Sequence, residues 1–217
     1  MKRLRPILVL LFLVLSLGVR SLWAEDLAAF TQKIQKTYDS TQDVAMDFTQ
    51  KTYVAVLEKE VSKKGSARFK KPGKFSIRYE GAGGRQYLSN GKTLWIYEAG
   101  DSQVQQAPAN EESLASEALI FLGGLGNLTR DFAVEEVDPK KVEKLKISLG
   151  DLRWVELTPL KKKSTLQWLI MGFDKDKAIA KEIYLLTESE NISHYLMDRV
   201  QFNTGVADTE FEYQKSK

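Results

Sequence analysis

His194 is the only histidine of this 217-residue chain, and so the only side chain whose ordinary pKa lies near neutrality. It stands in the strand-like run ISHYLMDRV, residues 192–200. A serine nucleophile would need it as a base, but there is no G-x-S-x-G elbow to present such a serine. His194 therefore reads as structural. With no cysteine and one histidine, the donor set of a zinc site is lacking. GAGG (residues 81–84) and GGLG (residues 123–126) match neither a P-loop nor G-x-G-x-x-G, and they read as turns and helix stops. The pairs Glu111/Glu112 and Glu135/Glu136 could supply a glycosidase's acid and base. With 29 acidic residues, though, adjacent pairs are expected on solvated faces, and nothing selects one. Lys161-Lys162-Lys163, after Pro159-Leu160, reads as an exposed hairpin loop, with an anionic membrane surface as the alternative partner. No catalytic residue, metal or cofactor is assigned.

What the sequence has in quantity is aromatic surface. Phe48, Tyr53, Phe69, Phe75, Tyr79, Tyr87, Trp95, Tyr97, Trp154, Trp168 and Phe173 all fall in strand-like runs. An ordinary core accounts for them. So does a curved sheet with an apolar concave side able to take a hydrophobic ligand.

The elements that would position these residues follow from periodicity. Leu27, Phe30, Ile34 and Tyr38 form one stripe at helical spacing, so residues 25–39 are expected to be a helix. From Val44 the period becomes two: Val44, Met46 and Phe48 alternate with Ala45, Asp47 and Thr49. Strand-like runs follow at 53–57, 60–70, 74–80, 85–89, 92–98 and 103–106. Residues 111–122 (EESLASEALIFL) read as a second helix stopped by Gly123-Gly124, its end apolar on every side. Strands are expected again at 131–137, 144–149, 152–158, 165–173, 179–187, 192–202 and 209–214. No long helix joins successive strands, so the sheet is antiparallel. The fold class is α+β: a strongly curved antiparallel sheet of about 11–12 strands, an unclosed barrel, with helices as a lid over an apolar cavity.

The N-terminus carries a basic stretch, the apolar run ILVLLFLVLSLGV (residues 7–19) and a small residue, Ala24. That order is expected of a secretory signal peptide, residues 1–24, leaving residues 25–217 as one domain. Cleavage would remove Lys2, Arg3, Arg5 and Arg20 from 32 basic residues and none of the 29 acids, leaving 28 against 29 and a net charge of −1. A nucleic-acid partner is not expected of such a chain. Without cysteine, no N-terminal lipid can be attached. An exported, disulfide-free protein of this kind fits a bacterial periplasm.

Between strands 85–89 and 92–98, Asn90-Gly91 is the strongest hairpin signal in the sequence. A two-residue turn there would pair Tyr87 with Leu94 and Arg85 with Ile96 on one face. It would pair Gln86 with Trp95 and Leu88 with Thr93 on the other. The first face is assigned to the cavity. Trp95 and Tyr97 then need another cover, a neighbouring loop or a partner protein.

Several short motifs in order resemble the LolA-type outer-membrane lipoprotein carriers. They are Phe48-Thr49-Gln50, Gly65, Lys70-Lys71-Pro72, Phe75-Ser76-Ile77, Ser89-Asn90-Gly91, Leu94-Trp95-Ile96-Tyr97 and Gln103-Val104-Gln105. Their order and spacing hold from the first helix to about residue 125; beyond it only the strand pattern and Asp208–Phe211 match. The resemblance implies a periplasmic, monomeric, non-enzymatic carrier. It would take lipoproteins by their acyl chains from an inner-membrane ABC transporter and pass them to an outer-membrane receptor. The lack of any cysteine favours the carrier over the lipidated receptor of the same fold. The resemblance implies a cavity wall of Val44, Met46, Phe48, Phe69, Phe75, Ile77, Tyr79, Tyr87, Leu94 and Ile96. It implies a lid of Leu27, Phe30, Ile34, Leu119, Ile120, Phe121 and Leu122. Where the family usually has arginine before the proline this chain has Lys71, the expected latch, with Arg68 and Arg78 as alternatives. Other readings are a lipid- or lipoprotein-sensing regulatory module or a glycolipid-binding module of the same fold, and a periplasmic hydrolase.

Overall fold

The computed structural model describes residues 27–98, 100, 103–109, 127–160 and 166–214. Helix α1 covers residues 27–39. The strands are β1 (Asp43–Val54), β2 (Lys59–Lys70), β3 (Lys74–Tyr79), β4 (Arg85–Asn90), β5 (Thr93–Glu98), β6 (Val104–Pro108), β7 (Phe132–Glu135), β8 (Arg153–Pro159), β9 (Leu166–Phe173), β10 (Ala180–Thr187) and β11 (Ile192–Phe202). Two short helices, α2 (Leu128–Asp131) and α3 (Pro139–Lys144), flank β7. All 11 strands form one antiparallel sheet in the order β6-β5-β4-β3-β2-β1-β11-β10-β9-β8-β7. Two meanders are thus joined through β1 and β11. The edges β6 and β7 are not paired with each other, so the sheet is unclosed.

Alternation divides the sheet into two faces. On the inner face Val44, Met46 and Phe48 of β1 stand opposite Phe69, Ala67 and Gly65 of β2. These in turn face Phe75, Ile77 and Tyr79 of β3. Gly65 is required where it is: a Cβ there would lie 2.5 Å from the Phe48 ring, which crosses β2 at that point. The row continues through Met197 and Tyr195 of β11, Ile183 and Leu185 of β10, Met171 and Leu169 of β9, and Val155 and Leu157 of β8. These residues form one continuous apolar cluster with α1.

The outer face is covered in two places, each by a segment read above as a strand. Residues 144–149 are not a strand. With Val137, Val142 and Leu152 they lie over Trp154, Trp168, Ile170 and Tyr184 as a second cluster. Trp154 and Trp168 therefore belong outside the concave side. Residues 209–214 are not a strand either: Asp208–Phe211 is a 3-10 turn packed on β3 and β4, with Phe211 fully buried.

The Asn90-Gly91 hairpin forms with its register moved by two residues. Ser89 pairs with Leu94, Tyr87 with Ile96, Leu88 with Trp95, Gln86 with Tyr97 and Arg85 with Glu98. The turn centre is Gly91-Lys92, with positive φ (+88°) at Gly91, the glycine-first preference of a type II′ turn. Asn90 Oδ1 accepts from the N–H groups of Lys92 and Thr93, both at 3.0 Å, which closes the turn one residue later. Because strand periodicity is two, a two-residue slip keeps every side chain on its expected face.

Candidate functional site

Seven of the ten expected wall residues (Val44, Met46, Phe48, Phe69, Phe75, Ile77 and Leu94) are buried in the inner cluster; Tyr79, Tyr87 and Ile96 pack against it partly exposed. The apolar part lies under α1, whose stripe turns Phe30 and Ile34 inward and Leu27 and Tyr38 to the margin. The Phe30 ring meets Phe173 edge-on at 6.1 Å, and Tyr38 meets Phe202 at 5.6 Å. Leu119, Ile120, Phe121 and Leu122 lie outside the described residues.

Side-chain bonds to backbone secure α1. Lys33 donates to the Lys175 carbonyl at 3.1 Å and Thr37 to that of Lys177 at 3.3 Å. Gln35 accepts from the Leu128 N–H at 2.9 Å. The Tyr38 hydroxyl accepts from the Ala180 N–H at 3.2 Å, and burial pushes its pKa up to about 12. Lys71 Nζ donates to the carbonyls of Tyr38 (2.7 Å) and Asp39 (3.0 Å). A cation is thereby set on the orphan carbonyls at the negative end of α1. Arg68 instead donates to the Met46 and Ala67 carbonyls, and Arg78 pairs with Glu210 on the outer face.

Away from α1 the inner face turns polar. Tyr79 donates to Gln50 Oε1 at 2.7 Å, and Gln50 Nε2 donates to Thr52 (2.9 Å) and Ser193 (3.4 Å). The Thr52 and Ser193 hydroxyls are 2.9 Å apart, and the Lys63 ammonium lies 5.8 Å from the Tyr79 ring centre. Sequence reasoning missed this group. Its signal was the change from Met46 and Phe48 to Gln50 and Thr52 at positions of one parity.

The cover that Trp95 and Tyr97 require comes from the chain's own C-terminal arm. Tyr213 stacks on Trp95 (6.1 Å) and meets Tyr97 edge-on (5.3 Å). Asp208 pairs with Lys70 (2.7 Å) and Lys74 (3.2 Å), and Glu210 with Arg78 (3.4 Å). Asp43, buried at the root of the arm, accepts from Thr204 N–H and hydroxyl and from Gly205 N–H at 2.8–3.0 Å. Burial acts to raise its pKa, but these donors outweigh it and hold the carboxyl below its ordinary value.

The groups considered for catalysis are otherwise engaged. His194 is 3.0 Å from Glu182 and stacks on Tyr184 at 3.9 Å, on the outer face. Glu136 makes a two-point pair with Arg153 at 2.5 and 2.8 Å. Glu111/Glu112 and Lys161-Lys162-Lys163 lie outside the described residues.

The family profile described as "Outer membrane lipoprotein carrier protein LolA" matches residues 39–214. A protein of Nitrosomonas europaea named outer-membrane lipoprotein carrier protein is 24% identical over 213 residues, 98% of this chain and 95% of the relative. One of the same name from Chromobacterium violaceum is 24% identical over 190 residues, 88% and 85% of the two chains. Among solved structures, a LolA-superfamily protein of Nitrosomonas europaea aligns with a TM-score of 0.46 at 13% identity, covering 86% of this chain and 97% of that one.

Proposed function

The chain belongs to the LolA family of outer membrane lipoprotein carrier proteins, and we propose that it is itself a periplasmic carrier that shelters lipoprotein acyl chains and catalyses no reaction. The observation that carries this reading is the single unclosed inner face, apolar across both meanders, with one amphipathic helix over its end. In this reading residues 1–24 direct export and are removed, and residues 25–217 are the carrier domain. It works as a monomer, receiving cargo from an inner-membrane ABC transporter and surrendering it to an outer-membrane receptor.

The energetics suit transfer. Burying one acyl methylene contributes about 0.8 kcal/mol, so a dry, empty slot would hold two or three chains too tightly to release them. Here seven of the ten wall residues are already buried in the cluster that α1 completes. Cargo must displace those contacts, and the net affinity falls by what they contribute. Leu27, Phe30 and Ile34 act as the lid with Lys71 as its latch, and Leu119–Leu122 are assigned to the same lid. A fluorescent hydrophobic probe bound to the protein tests the reading. A diacylated lipopeptide should displace it in proportion to concentration, and probe binding indifferent to lipopeptide would overturn it.

A further inference from the structure

Resting on that carrier reading, we propose that the polar end of the inner face is a second subsite. It hydrogen-bonds the ester carbonyls that join the acyl chains to the cargo's polar head. Inner positions along β1 run Val44, Met46, Phe48, Gln50, Thr52, so the wall changes from apolar to hydrogen-bonding in one step. Six residues of strand separate Val44 from Gln50, about 20 Å at ~3.3 Å each. One acyl chain fills about 15 Å, half the ~30 Å hydrocarbon thickness of a bilayer. Measured back from Gln50, those ~15 Å end near Met46, inside the apolar cluster that also holds Phe30 and Ile34 of α1, so a chain laid along this wall from there brings its first carbonyl to Gln50.

The group there is built to donate. Tyr79 donates to Gln50 Oε1, which fixes the amide with Nε2 toward Thr52 and Ser193. Between the Thr52 and Ser193 hydroxyls only one hydrogen is spent, since one donates and the other accepts. The other hydrogen has no acceptor among the described residues. Lys63, paired across the strands with Gln50, adds a cation at the same rim. Carbonyl oxygens, which accept and cannot donate, are the ligand chemistry that complements this set.

The test uses the purified protein and the same displaced probe with four competitors. These are a diacylglyceryl lipopeptide, phosphatidylglycerol, and the dialkyl-ether analogue of each, which lacks the chain carbonyls. The ester lipopeptide should bind about five- to tenfold more tightly than the ether, the fold-change expected for one hydrogen bond. Thr52→Val with Ser193→Ala should abolish that preference and leave ether binding unchanged, while the unfolding midpoint falls modestly because Gln50 Nε2 loses both acceptors. Thr52→Val alone, which keeps shape and β-branching, serves if the double variant folds poorly. An equal preference for phosphatidylglycerol over its own ether assigns the subsite to the glyceryl ester of any lipid; a preference confined to lipopeptide assigns it to ester carbonyls positioned by the peptide head. Equal wild-type affinity for ester and ether overturns the subsite, as does equal loss of both ligands in the variant. Failure of both lipopeptides to displace the probe overturns the carrier reading itself.

Discussion

Each face of the sheet carries an apolar cluster, but the two are covered differently. Outside, residues 137–152 are sealed over β8–β10 by Ile147 and the Trp154, Trp168 and Tyr184 rings. The arm from 203 to 214 is clipped over β3–β5 by Phe211, Tyr213 and ion pairs at Asp208 and Glu210. Inside, the described cover is one helix that seats Phe30 and Ile34 in the cluster and is otherwise tied through side chains that reach backbone carbonyls and N–H groups. Covers that share aromatic cores and ion pairs belong to the permanent structure. A single amphipathic helix, seated by a few apolar side chains and by bonds that water can replace, is the part that can leave at lower cost.

Removing a large ring from each face puts that contrast under most strain. Phe75→Ala inside and Phe211→Ala outside should each cost about 3–5 kcal/mol in urea unfolding, because both rings are fully enclosed. Only Phe75→Ala should also weaken lipopeptide displacement of the probe. Loss of displacement in the gentler Phe211→Leu variant would break the distinction between faces.

Asp43 sets the next largest effect. Asp43→Asn should cost about 2 kcal/mol by weakening the donors from Thr204 and Gly205. The folded pKa lies below the ordinary value. The carboxylate's stabilisation is therefore present above about pH 4 and is lost as pH falls through the folded value. Unfolding midpoints followed from pH 7 to pH 2 should show a shallower acid decline in the variant. An unchanged slope would remove Asp43 from the anchoring of the arm.

Much of this arrangement is readable from alternation alone. Phe75, Ile77 and Tyr79 share a face as their spacing requires, and the parity of β4 and β5 survives a turn closed one residue late by Asn90. Alternation reports one-sided burial and says nothing about hydrogen-bond partners. Leu145, Ile147 and Leu149 alternate, as do Phe211 and Tyr213, yet both segments lie flat on a sheet face and join no ladder. Lys146, at positive φ between two of these residues, marks where strand geometry fails. The bonds of Lys71 to α1 join residues more than thirty positions apart. Only the resemblance pointed to them, since nothing in local spacing does.

The smallest change tests the lid most directly. Lys71 is half-buried, so its two bonds to the Tyr38 and Asp39 carbonyls are partly screened, and together they hold α1 closed by about 1 kcal/mol. Lys71→Ala should lower stability by no more than that. It should also raise apparent probe affinity about fivefold, because less of the binding energy is spent on opening. Lys71→Arg keeps the charge and offers a planar fork to the same two carbonyls, so it should return affinity to the wild-type level or below. If alanine and arginine give the same affinity as lysine, α1 is held without Lys71, by Phe30, Ile34 and the bonds of Lys33, Gln35, Thr37 and Tyr38. The inner cover is then as permanent as the outer ones, and the contrast between the faces disappears.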